Sequence, residues 1–146
     1  MSETCMNYME NYWQEKTEAA NELFHEASYE QALLGYKEAL YRAEALNRHI
    51  SDCLRLNIPF IQIYIISCTN IANTCEAMGR TEEAEVMLKR AVYYLLELSG
   101  NEEMDGDKVF EELKRALLLY ASFRDRTGHG HSGLGQLFNT IREQLT

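Results

Sequence analysis

Residues 20–39, ANELFHEASYEQALLGYKEA, have a counterpart in residues 72–91, ANTCEAMGRTEEAEVMLKRA, with the same order of small and large side chains. Small residues at these offsets allow the two helices of a hairpin to cross closely, and the bulky residue between them fills the crossing. The pattern therefore predicts an all-α chain built from repeated helical hairpins. The matching positions, spaced 12, 4 and 3 residues apart, are Ala20, Ala32, Tyr36 and Ala39 in the first copy and Ala72, Ala84, Leu88 and Ala91 in the second.

This spacing resembles the tetratricopeptide repeat, which has a period of about 34 residues with small and large positions in fixed order. The core of that pattern, an alanine followed four residues later by a large side chain, reads Ala32-x3-Tyr36 and Ala84-x3-Leu88 here. The Trp and the closing Pro of the family pattern are absent from both copies, which lie 52 residues apart. The segment 66–72 also resembles a small group of uncharacterised bacterial helical-repeat proteins.

The resemblance implies antiparallel hairpins stacked as a short right-handed superhelix of about six helices. It also implies the kind of work this architecture does, since stacked hairpins present a groove to a peptide or helix of another protein. We therefore expect a non-enzymatic adaptor whose partner is another protein or peptide. The longer spacing between the copies must be taken up by longer helices or by a connection around residues 47–57.

Helical periodicity divides the chain into six predicted helices. Five isoleucines in 58–66 would, taken alone, indicate a buried strand, but the apolar positions continue at helical spacing to Met78. Pro59 suits the first turn of this helix and Gly79 its end, and Ser28 with Gln31 predicts a capping box for the second helix. The predicted helices are 6–27, 28–46 with a possible extension into 47–57, 58–78, 81–98, 107–126 and 134–145.

The expected domain organisation is a repeat domain over 1–127, a glycine-rich loop over 128–133 and an amphipathic capping helix over 134–146. Glycines are costly to order, so the loop could act as a hinge. A helix of about twelve residues is marginal in water unless it docks. The alternative function is therefore self-association, a homodimer formed by exchange of this terminal helix.

Composition excludes several other classes. The chain has 146 residues and a net charge of −9 without a basic stripe, which argues against nucleic acid or an anionic membrane as partner. The start lacks the basic and apolar regions of a signal peptide, and the most apolar stretch, 58–78, is too polar for a membrane span. Four cysteines without a Cys-x-x-Cys pair are expected to be reduced. Together these features predict a cytoplasmic protein.

The candidate binding surface is a polar groove formed by six side chains: Gln14, Thr17, Asn21, Thr69, Asn70 and Asn73. Within the resemblance, Asn21 and Asn70 correspond to asparagines with which some family members clamp a partner's terminal carboxylate. Thr17 stands where that clamp would have a lysine, and without a cation a carboxylate is poorly held.

No sequence feature indicates catalysis, a cofactor or a metal. His129 and His131 offer at most two ligands, whereas structural zinc takes four. Adjacent glutamates such as Glu82 and Glu83 point about 100° apart on a helix and do not form an acid–base pair by themselves. There is no phosphate-binding glycine loop and no Gly-x-Ser-x-Gly or His-Glu-x-x-His motif.

Overall fold

The computed structural model describes residues 1–128 and, beyond them, Leu137, Asn139, Arg142 and Glu143. These residues form helices and short connections with no β-strand, which confirms the predicted all-α class. The helices are α1 (Glu3–His25), α2 (Tyr29–Asn47), α3 (Ile50–Leu56), α4 (Phe60–Ala77), α5 (Thr81–Leu98) and α6 (Gly106–Arg126).

The chain divides into two compact units, Met1–Ala84 and Glu85–Thr146, and the boundary falls within α5. The first unit contains α1 to α4 and the first turn of α5. In this unit α2 packs against both α1 and α4, while the short α3 packs against α1 and α2. The candidate site described below lies entirely in this first unit.

The alanines that repeat in the sequence are buried, as the hairpin pattern predicts. In the first copy Ala20, Ala32 and Ala39 are each at most 1% exposed. Ala20 on α1 faces Gly35 on α2 so closely that a Cβ placed on Gly35 would lie 3.0 Å from the Ala20 Cβ. The two helices therefore cross at a point where only small residues fit. All four matching positions of the second copy are buried as well: Ala72, Ala84, Leu88 and Ala91.

The turns that end α1 and α4 have the same hydrogen bonds at positions 52 residues apart. After α4, Gly79 adopts φ +76° and the Arg80 N–H donates to the Cys75 carbonyl at 2.8 Å. After α1, Ala27 adopts φ +62° and the Ser28 N–H donates to the Leu23 carbonyl at 2.8 Å. Both are Schellman turns, which satisfy the last carbonyls of a helix and need a left-handed residue. The sequence repeat is thus also a repeat of backbone conformation.

Two local predictions at the ends of α2 are corrected by the structure. Ser28 is the N-cap of α2, but its side chain accepts no capping hydrogen bond, so the predicted capping box does not form. Residues 47–57 do not extend α2. They form the separate helix α3, which ends at Asn57 with φ +56°, a left-handed conformation that asparagine tolerates better than most residues. The additional residues between the two copies therefore lie in α3 and its connections.

The ambiguous stretch 58–78 is helix α4, so the strand alternative is excluded. Pro59 is its N-cap and Met78 its C-cap. Cys68 and Cys75 are completely buried, as expected for core thiols seven residues apart on one face. Most of the residues of α4 are buried or half-buried, and Glu76 is the one charged residue of this helix.

In the second unit, α6 is capped by Asp105, whose carboxylate accepts from the N–H groups of Asp107 and Lys108. The apolar periodicity of 107–126 predicts that Phe110 faces the core, but Phe110 is 46% exposed, because the buried face of α6 is rotated toward other positions. That face is formed by Val109, Leu113, Ala116, Tyr120 and Phe123. The Arg124 side chain, 9% exposed, donates to Glu85 on α5 at 2.6 Å.

The glycine-rich loop and most of the predicted terminal helix lie outside the described residues, and so do His129 and His131. Of the segment 134–145, the four described residues are helical and Leu137 is buried, with 4% of its surface exposed. None of the described helices has the length and apolar character needed to cross a bilayer.

Candidate functional site

An open pocket of about 180 Å³ lies in the first unit between α1, α2 and α4. Three of the residues that line it are asparagines, two are aromatic and one is a histidine. They are Asn21, Phe24, His25, Tyr36, Asn70 and Asn73.

Helix α1 contributes three of these side chains from its last two turns. Asn21 and His25 are four residues apart, so they lie one above the other on the same helix face. Phe24 is half-buried and meets the Tyr29 ring edge to face, with ring centroids 5.3 Å apart. This contact across the α1–α2 turn holds the apolar side of the pocket in place.

Helix α2 contributes Tyr36, which belongs to the hairpin core and to the pocket at the same time. Its ring is buried, with 3% of the residue exposed, and its hydroxyl donates to the Asn21 Oδ1 at 2.5 Å. Because the Asn21 oxygen accepts this bond, the amide is oriented so that its NH₂ group can donate elsewhere. Burial raises the pKa of the Tyr36 hydroxyl, so it stays a protonated donor throughout the neutral range.

Helix α4 contributes Asn70 and Asn73, one turn apart on its accessible side. The Asn70 carbonyl accepts from the buried Thr74 hydroxyl at 2.7 Å, but among the described residues no side chain bonds to the amides of Asn70 or Asn73. Asn73 is the counterpart of Asn21 in the second copy of the repeat, 52 residues later. The repeat thus brings two equivalent asparagines to one pocket.

A hydrogen bond between the middle of α1 and the middle of α4 links the two helices. The Trp13 Nε1–H donates to the Ser67 Oγ at 2.7 Å, and the Ser67 hydroxyl in turn donates to the Ile63 carbonyl at 2.8 Å. Trp13 precedes Asn21 by eight residues and Ser67 precedes Asn70 by three, so this contact sits on the same sides of the two helices as the pocket.

The structure brings together three of the six predicted groove residues, Asn21, Asn70 and Asn73, and leaves the other three out of the pocket lining. Gln14 is exposed and donates to the Glu18 carboxylate at 3.1 Å. Thr17 is only 8% exposed, and its hydroxyl finds no partner among the described residues, which places it in the helix packing. Thr69 is half-buried on α4.

Phe24, His25 and Tyr36 line the pocket although the sequence pattern did not select them. For His25 a signal existed, since it follows Asn21 by one helical turn. Tyr36 was recognised only as the bulky core residue of the hairpin. Nothing in the spacing shows that its hydroxyl reaches α1, because that depends on how the two helices are rotated about their axes.

The three buried thiols of the first unit, Cys53, Cys68 and Cys75, lie in surroundings that disfavour reaction. Burial raises the pKa of Cys53 to about 11, with further contributions from Asp52 and Glu10. Burial also raises the pKa of Cys75, whose thiol lies 3.8 Å from the Glu83 carboxylate. Within residues 1–128 and the four described beyond, no three His, Cys, Asp or Glu side chains converge as a metal site would require. Chemically, then, the pocket offers amide donors and acceptors beside aromatic surface.

A family model matches residues 11–145 of this chain, which covers most of α1 and all of α2 to α6. The chain is therefore an all-helical protein of the family DUF2753, described as proteins of unknown function. No curated protein and no solved structure matches it.

Proposed function

We propose that this protein is a tetratricopeptide-like binding module, and that its first unit holds a peptide or helix of another protein in the pocket between α1, α2 and α4. The observation that carries the proposal is the convergence of three asparagines from two helices on one open pocket. Two of these asparagines are equivalent positions of the sequence repeat.

Asparagine amides suit a peptide backbone, because each can donate to a carbonyl and accept from an N–H group. The amides of Asn70 and Asn73 are available for this, and Tyr36 orients the Asn21 amide so that its NH₂ group can donate. The Phe24 ring adds apolar surface against which a side chain of the guest can pack. The pocket combines a small number of placed polar groups with an aromatic wall, as peptide sites commonly do.

The repeat supports the same function by analogy. Buried alanines at matching positions and the two Schellman turns 52 residues apart are features expected of stacked helical hairpins. Stacked hairpins bind partners on a concave surface formed by helices from successive pairs. Here those helices would be α1 and α4, which carry Asn21, Asn70 and Asn73.

The experiment compares capture of proteins from a lysate of the organism that encodes the chain by two immobilised variants. The pocket variant is N70A/N73A. The matched control is N7A/N11A, which removes two exposed asparagines of α1 that do not line the pocket. Proteins that bind in the pocket are retained by the wild type and by the control but not by N70A/N73A. Equal retention by all three variants, or no retention by any, contradicts the proposal.

A second candidate function, self-association, has one observation in its favour. Helix α6 exposes three large apolar side chains, Phe110 to 46%, Leu118 to 70% and Leu119 to 45%, which a second copy of the chain could cover. A dimer formed by exchange of the terminal helix has less support, because Leu137 of that segment is already buried in the single chain, with 4% of its surface exposed. Light scattering on the wild type and on L118K/F110K separates these cases: a dimer that becomes a monomer supports self-association through α6, and a monomer in both excludes it.

A further inference from the structure

The first unit carries most of the negative charge of the protein. Residues 1–84 contain 13 acidic and 6 basic side chains, a net charge of −7 out of −9 for the whole chain. An excess of this size produces a negative potential that favours cationic partners and speeds their encounter. The effect on a bound segment depends on which charged side chains lie near the pocket.

Most basic side chains of the first unit are already engaged with carboxylates or aromatic rings. Lys37 follows Tyr36 along α2 but does not line the pocket. The engaged side chains are Lys16 with Glu38 at 2.9 Å, Arg55 with Asp52 at 3.0 Å, Arg80 with Glu30 at 2.5 Å, and Arg42 over the Tyr12 ring at 4.3 Å from its centroid.

Three glutamates four residues apart, Glu18, Glu22 and Glu26, form an acidic rim along α1 and its C-cap, next in sequence to the residues that line the pocket. Glu18 precedes Asn21 by three residues and therefore lies on the same helix face. Glu22 and Glu26 directly follow Asn21 and His25, so they point about 100° further round than those two residues, and both are exposed without a salt bridge to any described residue. The only lysine of α1, Lys16, is turned toward Glu38 on α2.

The α4 side of the pocket brings no positive charge to balance this rim. Glu76 is the single charged residue in the whole of α4, from Phe60 to Ala77. The accessible face of α4 carries amide side chains and one exposed aliphatic side chain, Ile66, which is 42% exposed. His25 is the only titratable cation among the pocket-lining residues. No basic side chain on α4 therefore balances the carboxylates on α1.

We infer that the segment bound in this pocket is a basic one, which places lysine or arginine side chains against Glu18, Glu22 and Glu26 while its backbone bonds to the asparagines. This inference rests on the proposed function and adds the chemistry of the partner. A guest with acidic side chains or a terminal carboxylate is repelled by the same rim. The end of this chain is a poor guest, since residues 129–146 contain one arginine and one glutamate and so have no net charge.

The test selects twelve-residue peptides from a random library displayed on phage against the immobilised full-length protein. The enriched peptides are synthesised, and their affinities are measured for three variants at low and at high salt. The rim variant is E18Q/E22Q/E26Q, which keeps shape and removes three charges. The matched control, E97Q/E102Q/E111Q, removes three exposed glutamates of the second unit. N70A/N73A shows whether a peptide uses the pocket.

A basic guest predicts that pocket-dependent peptides carry net positive charge and bind the rim variant about tenfold more weakly at low salt, an effect that high salt reduces. The control variant binds them like the wild type. Pocket-dependent peptides that are neutral or acidic, or that ignore the rim variant, overturn the inference and leave the proposed function standing. If no enriched peptide is weakened by N70A/N73A, the inference and the proposed function both fall.

Discussion

Gly35 on α2 lies against Ala20 on α1 with no room for another methyl group, since a Cβ at position 35 would come within 3.0 Å of the Ala20 Cβ. The contact joins the two helices, α1 and α2, that carry Asn21 and Tyr36 to the pocket. Glycine in the middle of a helix costs about 1 kcal/mol relative to alanine, so its use here indicates that close approach outweighs helix propensity.

Gly35→Ala is therefore expected to destabilise the first unit by about 1–3 kcal/mol, because overpacking exceeds the gain in helix propensity. Urea unfolding followed by tryptophan fluorescence measures this, since Trp13 is the only tryptophan of the chain and lies in α1. The double variant A20G/G35A recreates the space and serves as the control. The two substitutions should compensate each other, and strictly additive effects would show that positions 20 and 35 do not meet.

Ala27→Gly is expected to stabilise the first unit, whereas Gly79→Ala destabilises it. Both residues have positive φ in equivalent turns, and a side chain there is strained by about 1–2 kcal/mol. A Cβ on Gly79 would meet no atom within 4 Å, so the strain at that position is confined to the backbone. Urea unfolding followed by Trp13 fluorescence gives the free energy of unfolding of both variants. Each variant is the control for the other, because the two changes are expected to have opposite signs. Changes of the same sign would contradict the left-handed conformation of residues 27 and 79.

Only one of the four cysteines is expected to react rapidly with a thiol reagent in the folded protein. Cys5 is exposed, whereas Cys53, Cys68 and Cys75 are buried. A pKa of about 11 at Cys53 leaves very little thiolate near neutral pH. Counting released chromophore with a disulfide reagent should give one fast thiol in the wild type, none in C5S and four after denaturation. A second fast thiol in the native state would show that the core opens readily.

Stability should fall as the solution becomes alkaline. The Cys53 thiol ionises near pH 8.5 when unfolded but near pH 11 when folded, so the unfolded state loses its proton first and stability is lost across that interval. The raised pKa values of Cys75 and Tyr36 act in the same direction.

The measurement is the free energy of unfolding at about pH 7.5 and about pH 10.5, below and within this interval. Cys53→Ala lowers stability at both values but reduces the difference between them. A pH dependence identical in wild type and C53A would rule out Cys53 as a source of it.

Tyr36→Phe is expected to weaken pocket binding more than it weakens folding. The ring stays in the core, but the hydroxyl that orients the Asn21 amide is lost, at a cost of about 1 kcal/mol in stability. Affinity for a peptide selected against the wild type should fall severalfold, measured by fluorescence anisotropy. Tyr41→Phe on the same helix, where the side chain is 60% exposed, is the control and should bind normally. Equal affinity of Y36F and wild type would mean that Asn21 is not used.

Local rules were enough to predict α4. Pro59 and Gly79 mark its ends through constraints that act within one turn, and its apolar positions repeat at a spacing that only a helix can bury. The same applies to the buried alanines, whose small size matters wherever two helices cross. The errors fell where competing local conformations are close in energy: the separate helix α3, the uncapped Ser28 and the rotation of α6 that exposes Phe110.

The sequence by itself determined that the chain is helical, where most helices begin and end, and that Asn21, Asn70 and Asn73 lie on the accessible sides of α1 and α4. Tertiary structure alone decided that these three share a pocket with Phe24, His25 and Tyr36, while Gln14, Thr17 and Thr69 do not line it. The physical reason is that periodicity fixes which residues share a face of one helix. Which faces of two helices meet depends on their crossing and axial rotation, and these are set by packing such as Gly35 on Ala20 and the Trp13–Ser67 hydrogen bond.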